Sequence, residues 1–285
     1  MPTFSVLLFK IIKSFLICLV LLLLLSPLSA AAESSTRVDK ADVDQSKSSQ
    51  LQSFGSLLAN WSNGISVSGT AAIISSPIQG NVVYLTFDDG PDEKWTPLIL
   101  EQLAKHNAKA TFFMIGINAS SEPETVLAVA EGGHTIGNHS YNHISLAYIG
   151  WSYFNLEITD TNRVIRDALS SRPALLSQVA QCIRPPFGEV SSDVYNFASR
   201  LNYDISMWSL DTRDWQGLSY GISAEVILDT VLEGLEPGSI ILMHDGGKNR
   251  SETVGGLGLV LHELIFRGYS FEPLCNADGQ VVVYP

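Results

Sequence analysis

The sequence predicts an α/β protein built on a parallel sheet. Apolar β-type runs alternate along the chain with amphipathic helical stretches of about 10–15 residues, the pattern of repeated βα units. The polar, chemistry-bearing residues gather where the β runs end. The 46% apolar content supplies a core for one domain of the larger sort. In chain order, "NVVYLTF" is a strand and "WTPLILEQLAKHN" a helix, with Trp95, Leu98, Leu103 and His106 near helical spacing. "ATFFMIG" is a strand, and "SEPETVLAVAEGG" is a helix with early acids and a glycine stop. "HTIGNHS" is a short strand running into a loop, and residues 146–169 form a long helical region broken once. "CIRPPFG" is a strand ended by its prolines, followed by the helix "SSDVYNFASRLN" and the strand "YDISMWSLD". The helix "SAEVILDTVLEGL", the strand "GSIILMHD", the helix "TVGGLGLVLHELIFRG" and the strand "YSFEPL" complete the series. Periodicity leaves two closures open, an open sheet or a barrel.

The beginning of the chain stands apart. Lys10 and Lys13 precede an apolar run over residues 14–25, and "SPLSAAAES" follows, the order of a secretory signal peptide cleaved near residues 30–32. Joined to residues 4–12, the same run is long enough for an uncleaved anchor. Residues 33–80 read as a Ser-rich stem and N-terminal extension, polar and without apolar period over 33–53. The domain proper is expected over residues 81–285, and the protein is expected to be exported to the periplasm, the cell envelope or the medium.

The formal charge is −12, and it becomes −14 without residues 1–32, which carry two lysines and no acid. Such a chain lacks the basic surface that phosphate backbones require, so nucleic acid is excluded as a partner. A membrane enters only through an uncleaved leader, and a monomer is expected. Of three cysteines, Cys18 lies in the leader. Cys182 and Cys275 are left either as a disulfide in an oxidising compartment or as two buried thiols.

Five polar clusters close apolar strands: "TFDDGP", "GNHSYNH", "RPPFG", "LDTRDW" and "LMHD". In a parallel sheet these ends share one edge, where sites form. His139 and His143 stand four apart, and on one helical turn both imidazoles would face the same cation. Alone that spacing is weak evidence, since such pairs are more often surface or core histidines. With one carboxylate from "FDDG" it becomes a two-His, one-Asp set with coordination positions left for water and substrate. The second carboxylate then has a use, taking a proton from a water that a divalent ion acidifies. Which of Asp88 and Asp89 does which is open at this level. Arg184 can hold the basic carboxylate ionised. The Phe187 N–H can serve as an oxyanion donor in a loop stiffened by Pro186. His244 fits a general acid, with Asp211 and Asp214 as candidates to orient it, and Trp215 offers a flat face to a sugar ring.

The five clusters in this order resemble the signature of the polysaccharide deacetylases, the NodB-homology carbohydrate esterases, over about residues 82–274. The resemblance implies a distorted (β/α) barrel with about seven strands rather than eight. It implies metal-dependent removal of acetyl groups from an acetylated polysaccharide or oligosaccharide. Carried over, Asp88 is the base, Asp89, His139 and His143 hold the metal, and Arg184 holds Asp88. Phe187 contributes the oxyanion amide, and Asp214 pairs with the acid His244. Trp215, Leu242 and Pro186 contact substrate. Phe187 stands where the family often has Tyr, which removes a hydroxyl but keeps the backbone N–H. The metal is taken as Zn2+, with Co2+, Ni2+ and Mn2+ as other ions such ligands accept. Peptidoglycan N-acetylglucosamine or N-acetylmuramic acid is the first substrate choice, chito-oligosaccharides the second and acetylated xylan the third. A non-catalytic saccharide-binding homologue is the alternative from another class.

Overall fold

The computed structural model describes residues 72–73 and 81–275. The leader, its cleavage site and nearly all of the stem lie outside the described residues. The strands are β1 (Ala72–Ile73), β2 (Val82–Asp88), β3 (Ala110–Met114), β4 (Thr135–Asn138), β5 (Val179–Ile183), β6 (Asp204–Ser206), β7 (Leu210–Asp211), β8 (Ile240–His244) and β9 (Ser270–Phe271). The helices are α1 (Trp95–Lys105), α2 (Gly116–Ser121), α3 (Pro123–Glu131), α4 (Trp151–Ala168), α5 (Ser192–Arg200), α6 (Ala224–Gly234) and α7 (Ser251–Phe266).

The main sheet runs β1-β6-β5-β4-β3-β2-β8-β7, and every neighbouring pair is parallel. Strands this thoroughly buried read as near-continuous apolar runs because helices cover a parallel sheet. All five residues of β3 are buried, as are Val83 to Asp88 of β2. Strands β2 to β8 form a curled half-barrel of seven parallel strands, as the family resemblance implied. β9 pairs with the first two residues of β2.

The expected single strand "YDISMWSLD" is two strands, β6, next to the edge strand β1, and β7, the opposite edge of the sheet. The reason lies in its hydrogen bonds. The carbonyls of Ser206 and Met207 accept from the Arg184 guanidinium, and the Ser209 N–H donates to the Ile240 carbonyl beside β8. The chain thus leaves the β6 side of the sheet and joins the β8 side within a few residues. Such a link reaches roughly 15 Å at most, so the two ends of the sheet must approach each other, which is the curl itself.

The long helical region is broken once, as expected: a 3-10 turn, Leu146–Tyr148, precedes α4. α2 was not foreseen; it fills "GINASS" ahead of α3, whose first residue is Pro123. Most helices pack on the sheet through an apolar core that includes Phe87, Phe112, Ile136, Ile165 and Leu261, while α5 and part of α4 pack through a second cluster with Phe154, Ile183, Val194 and Ile205. Among the described residues no helix is long and apolar enough to cross a membrane.

Cys182 on β5 and Cys275 are joined as a disulfide across 93 residues of sequence, the first of the two readings left open above. Cross-linking so long a loop restricts the unfolded chain most. Replacing both cysteines by alanine is expected to cost about 2–5 kcal/mol, read as a lower denaturant midpoint. Reductant should lower the midpoint of the native protein and leave that of the double variant unmoved.

His134, at the foot of β4, is 3% exposed, with its ring edge against Phe112 and its Nδ1 without a partner. Burial, helped by nearby Lys109, pulls its pKa down to about 4. The unfolded chain therefore binds this proton more readily than the folded one. Stability from this group is complete above about pH 6.5 and falls as the pH drops towards 4, by up to about 3 kcal/mol. His134→Gln should flatten unfolding free energy against pH in that window; an unchanged slope would assign the acid sensitivity elsewhere.

Candidate active site

Asp88 ends β2 and lies opposite His244, the last residue of β8. Side chains alternate along an extended strand, so Asp88 and Asp89 would diverge if the strand continued. It does not: Asp89 takes φ 75°, a left-handed conformation rare outside glycine. Both carboxylates then reach one imidazole. His139 Nε2 is 3.7 Å from Asp88 Oδ2 and 3.6 Å from Asp89 Oδ1. The turn is held by Asn118 Nδ2, which donates to the Asp89 carbonyl, and by the Gly90 N–H, which donates to Asp245 Oδ1 at 3.0 Å. A Cβ at residue 90 would lie 2.2 Å from Asp245 Oδ2, so this position takes only glycine. Asp245 is fully buried and its other oxygen accepts from Thr96. Burial, with the negative charges of Asp89 and Asp88, lifts its pKa to about 7.

Arg184, fully buried, spends its guanidinium on five acceptors: Asp88 Oδ1 and Thr86 Oγ1 at 2.8 Å, the Ser206 and Met207 carbonyls, and Ser206 Oγ. Burial raises the pKa of Asp88 on balance, against the pull of Arg184 and His244 in the other direction.

The Arg184 carbonyl accepts from His139 Nδ1 at 2.7 Å. Burial pulls His139 down to about 3, so the ring is neutral, its hydrogen sits on Nδ1, and Nε2 presents a lone pair. Three acceptor atoms, His139 Nε2, Asp88 Oδ2 and Asp89 Oδ1, thus face one another. His143 Nε2 comes within 3.2 Å of Asp89 Oδ1. Ligand atoms of Asp89, His139 and His143 all lie within 4.8 Å of one another. A divalent cation suits this donor set, since neutral imidazoles and a carboxylate are its ordinary ligands.

The two histidines lie in the loop that the sequence places after the strand, and the helical turn considered for their spacing is not formed. They flank a loop in which Ser140 (φ 63°) and His143 (φ 54°) are left-handed, and that reversal aims the second ring back at the first. The rings are 5.1 Å apart, and the Phe187 ring meets His143 edge-on at 4.6 Å.

On the far side, Asp214 rather than Asp211 reaches His244. Its Oδ1 is 2.8 Å from His244 Nδ1, while Oδ2 accepts from the His244 N–H and from the Thr253 hydroxyl. Burial works against a charged His244, but the carboxylates of Asp214, Asp88 and Asp89 together outweigh it and raise the pKa. Asp214 is held below the usual carboxylate range in turn, burial being outweighed by His244, Arg250 and Thr253. Asp211 lines the pocket and accepts from the Arg213 N–H.

Asp88, Asp89, His139, His143, Asp211 and His244 open onto one pocket of about 570 Å3, lined also by Phe187, Trp208, Trp215, Leu242, Lys248 and Arg250, while Arg184 and Asp214 lie buried behind it. Pro186 departs from expectation. It is buried beneath its turn and does not line the pocket; Phe187 (64% exposed) and Gly188 do. Sequence reasoning also missed Arg250 and Thr253. Arg250 is 2% exposed, donates to the Gly246 and Asp214 carbonyls, and brings Nη2 to 3.9 Å from Asp89 Oδ2. Only tertiary structure brings these α7-end residues to Asp214.

A family model described as polysaccharide deacetylase matches residues 76–206. A peptidoglycan-N-acetylglucosamine deacetylase of Bacillus cereus is 37% identical over 216 residues, covering 75% of this chain and 74% of the relative. The chain belongs to the polysaccharide deacetylase family. A chitooligosaccharide deacetylase of Sinorhizobium fredii is 36% identical over 202 residues, covering 67% of this deacetylase and 89% of the relative. Among solved structures, a peptidoglycan N-acetylglucosamine deacetylase in complex with a naphthalenyl benzamide superposes with TM-score 0.65 at 36% identity, covering 72% of this chain and 91% of that one. A pseudoenzyme of the same family from Bacillus anthracis superposes with TM-score 0.64 at 26% identity, covering 75% and 69%. This polysaccharide deacetylase is a hydrolase that removes acetyl groups from a carbohydrate polymer.

Proposed function

We propose that this deacetylase removes N-acetyl groups from N-acetylglucosamine units of peptidoglycan, outside the cytoplasm, releasing acetate and a free amino sugar. The observation that carries the reading is the pairing of two built half-sites across one pocket: the Asp88–Arg184 pair beside the Asp89–His139–His143 cluster, and the His244–Asp214 pair opposite. Relatives named as peptidoglycan deacetylases support the polymer, and an exported location follows from that substrate and from the leader read in the sequence.

Asp89, His139 and His143 would hold one divalent ion, Zn2+ in first place. Bound there, the ion supplies positive charge that acidifies water and stabilises a developing oxyanion. Asp88 takes a proton from the water that attacks the acetamide carbonyl carbon. Arg184, donating to Asp88 Oδ1, leaves the other oxygen turned to the site. The Phe187 N–H donates to the carbonyl oxygen as it gains charge. His244, kept protonated by Asp214, passes a proton to the departing nitrogen, because an amide anion is too poor a leaving group. Leu242 and Trp215 line the space for the acetyl methyl and the sugar ring.

The existence of a pseudoenzyme relative makes the complete set of groups informative here: no proposed base, acid or ligand is missing from this chain. The test is acetate release from intact peptidoglycan, chitin oligomers and acetylated xylan, each with and without chelator. Peptidoglycan is expected to lead, with release stopped by the chelator. Faster release from chitin oligomers would reassign the polymer, and chelator-insensitive release would remove the metal from the reading.

A further inference from the structure

We infer that Glu157, in the middle of α4, is a positioning residue that presets the His139–His143 loop for its cation. This rests on the proposed role of Asp89, His139 and His143 as metal ligands.

The buried face of α4 carries Phe154, Ile158, Thr161, Val164 and Ile165, with Glu157 among them at 7% exposure. A carboxylate in that stripe costs solvation unless hydrogen bonds replace the lost water. They do. Glu157 Oε2 accepts from the backbone N–H groups of Tyr141 and Asn142, each at 2.8 Å, and Oε1 accepts from Asn142 Nδ2 at 2.7 Å. All three donors belong to the two residues between the left-handed Ser140 and His143.

Left-handed geometry is unfavourable for residues other than glycine and persists only where the surroundings dictate it. Glu157 acts as an internal anion seated on consecutive N–H groups of the loop, which fixes its reversal. Other contacts hold different parts. Asn138 bridges the Ser140 N–H to the Ile158 carbonyl of α4, and the N–H groups of Gly116 and Ile117 donate to the carbonyls of Ser140 and Tyr141. None of these reaches the amides of Tyr141 and Asn142, which set where His143 leaves the loop. Releasing Glu157 frees His143, not His139, whose ring is fixed independently by the Arg184 carbonyl.

The prediction concerns ion affinity rather than turnover alone. Outer partners of metal ligands typically contribute about 10- to 100-fold in affinity. Zn2+ would be titrated into chelator-stripped protein against a chromophoric competitor, with thermal unfolding of the stripped protein recorded alongside. Glu157→Leu should weaken Zn2+ binding at least about tenfold. Glu157→Gln should stay within about threefold of the parent, because its amide oxygen can take the two N–H groups and Asn142 can turn its amide to match. Glu157→Asp, with its carboxylate drawn back, should fall between. A Leu variant binding as tightly as the parent overturns the inference. If that variant does not fold, an Asp variant with parental affinity overturns it equally. Failure of the unsubstituted protein to bind Zn2+ or any other divalent ion, with His139→Ala as the reference, overturns the metal site itself. Loss confined to the Glu157 series bears on positioning alone.

Discussion

Asp88→Asn is expected to abolish acetate release while leaving the divalent ion in place. Asparagine keeps the shape and can accept from Arg184 as Asp88 Oδ1 does at 2.8 Å. It cannot take a proton from water. Positioned general bases contribute about 10²–10⁴-fold, so turnover should drop by that range at least. Metal content should stay near parental, because the proposed ligands are Asp89, His139 and His143. His139→Ala should lose both the ion and the activity. Substantial turnover by Asp88→Asn would exchange the roles of the two carboxylates or transfer the base elsewhere, and elemental analysis of both variants separates those outcomes.

Arg184→Met should be the most destabilising single change in the site. It leaves buried Thr86, Asp88 and the Ser206 carbonyl without the guanidinium that donates to them. Breaking a buried ion pair from one side costs about 3–5 kcal/mol. For a domain of this size that is on the order of 10 °C in Tm. A second change, Asp88→Leu, should recover part of the loss, because the stranded charge is then gone. A single variant that unfolds at the parental temperature would show that Asp88 is accommodated without this partner.

The sheet was legible in the sequence because its strands are buried on both faces and leave unbroken apolar runs. The site was legible because its residues terminate those runs: Asp88 ends β2, His139 follows β4, Arg184 follows β5 and His244 ends β8. What escaped reading is what depends on contacts between distant segments. The loop after β4 was legible, but not its geometry, which is held by contacts from α4 and the start of α2, neither of which has a local signature in "HSYNH". The division of "YDISMWSLD" into β6 and β7 depends on a guanidinium more than twenty residues away. The choice between Asp211 and Asp214 turns on Thr253 and Arg250, which meet Asp214 only after α7 packs. Spacing alone allowed either acid.

The cystine has a further consequence. Cys182 precedes Arg184, and Cys275 follows the last described strand, so the covalent ring encloses Arg184, Phe187, Asp214 and His244. Asp88, Asp89, His139 and His143 lie outside it, nearer the N-terminus. A protease that nicks the backbone once inside the ring therefore releases no fragment: both pieces migrate together on a gel until a reducing agent parts them.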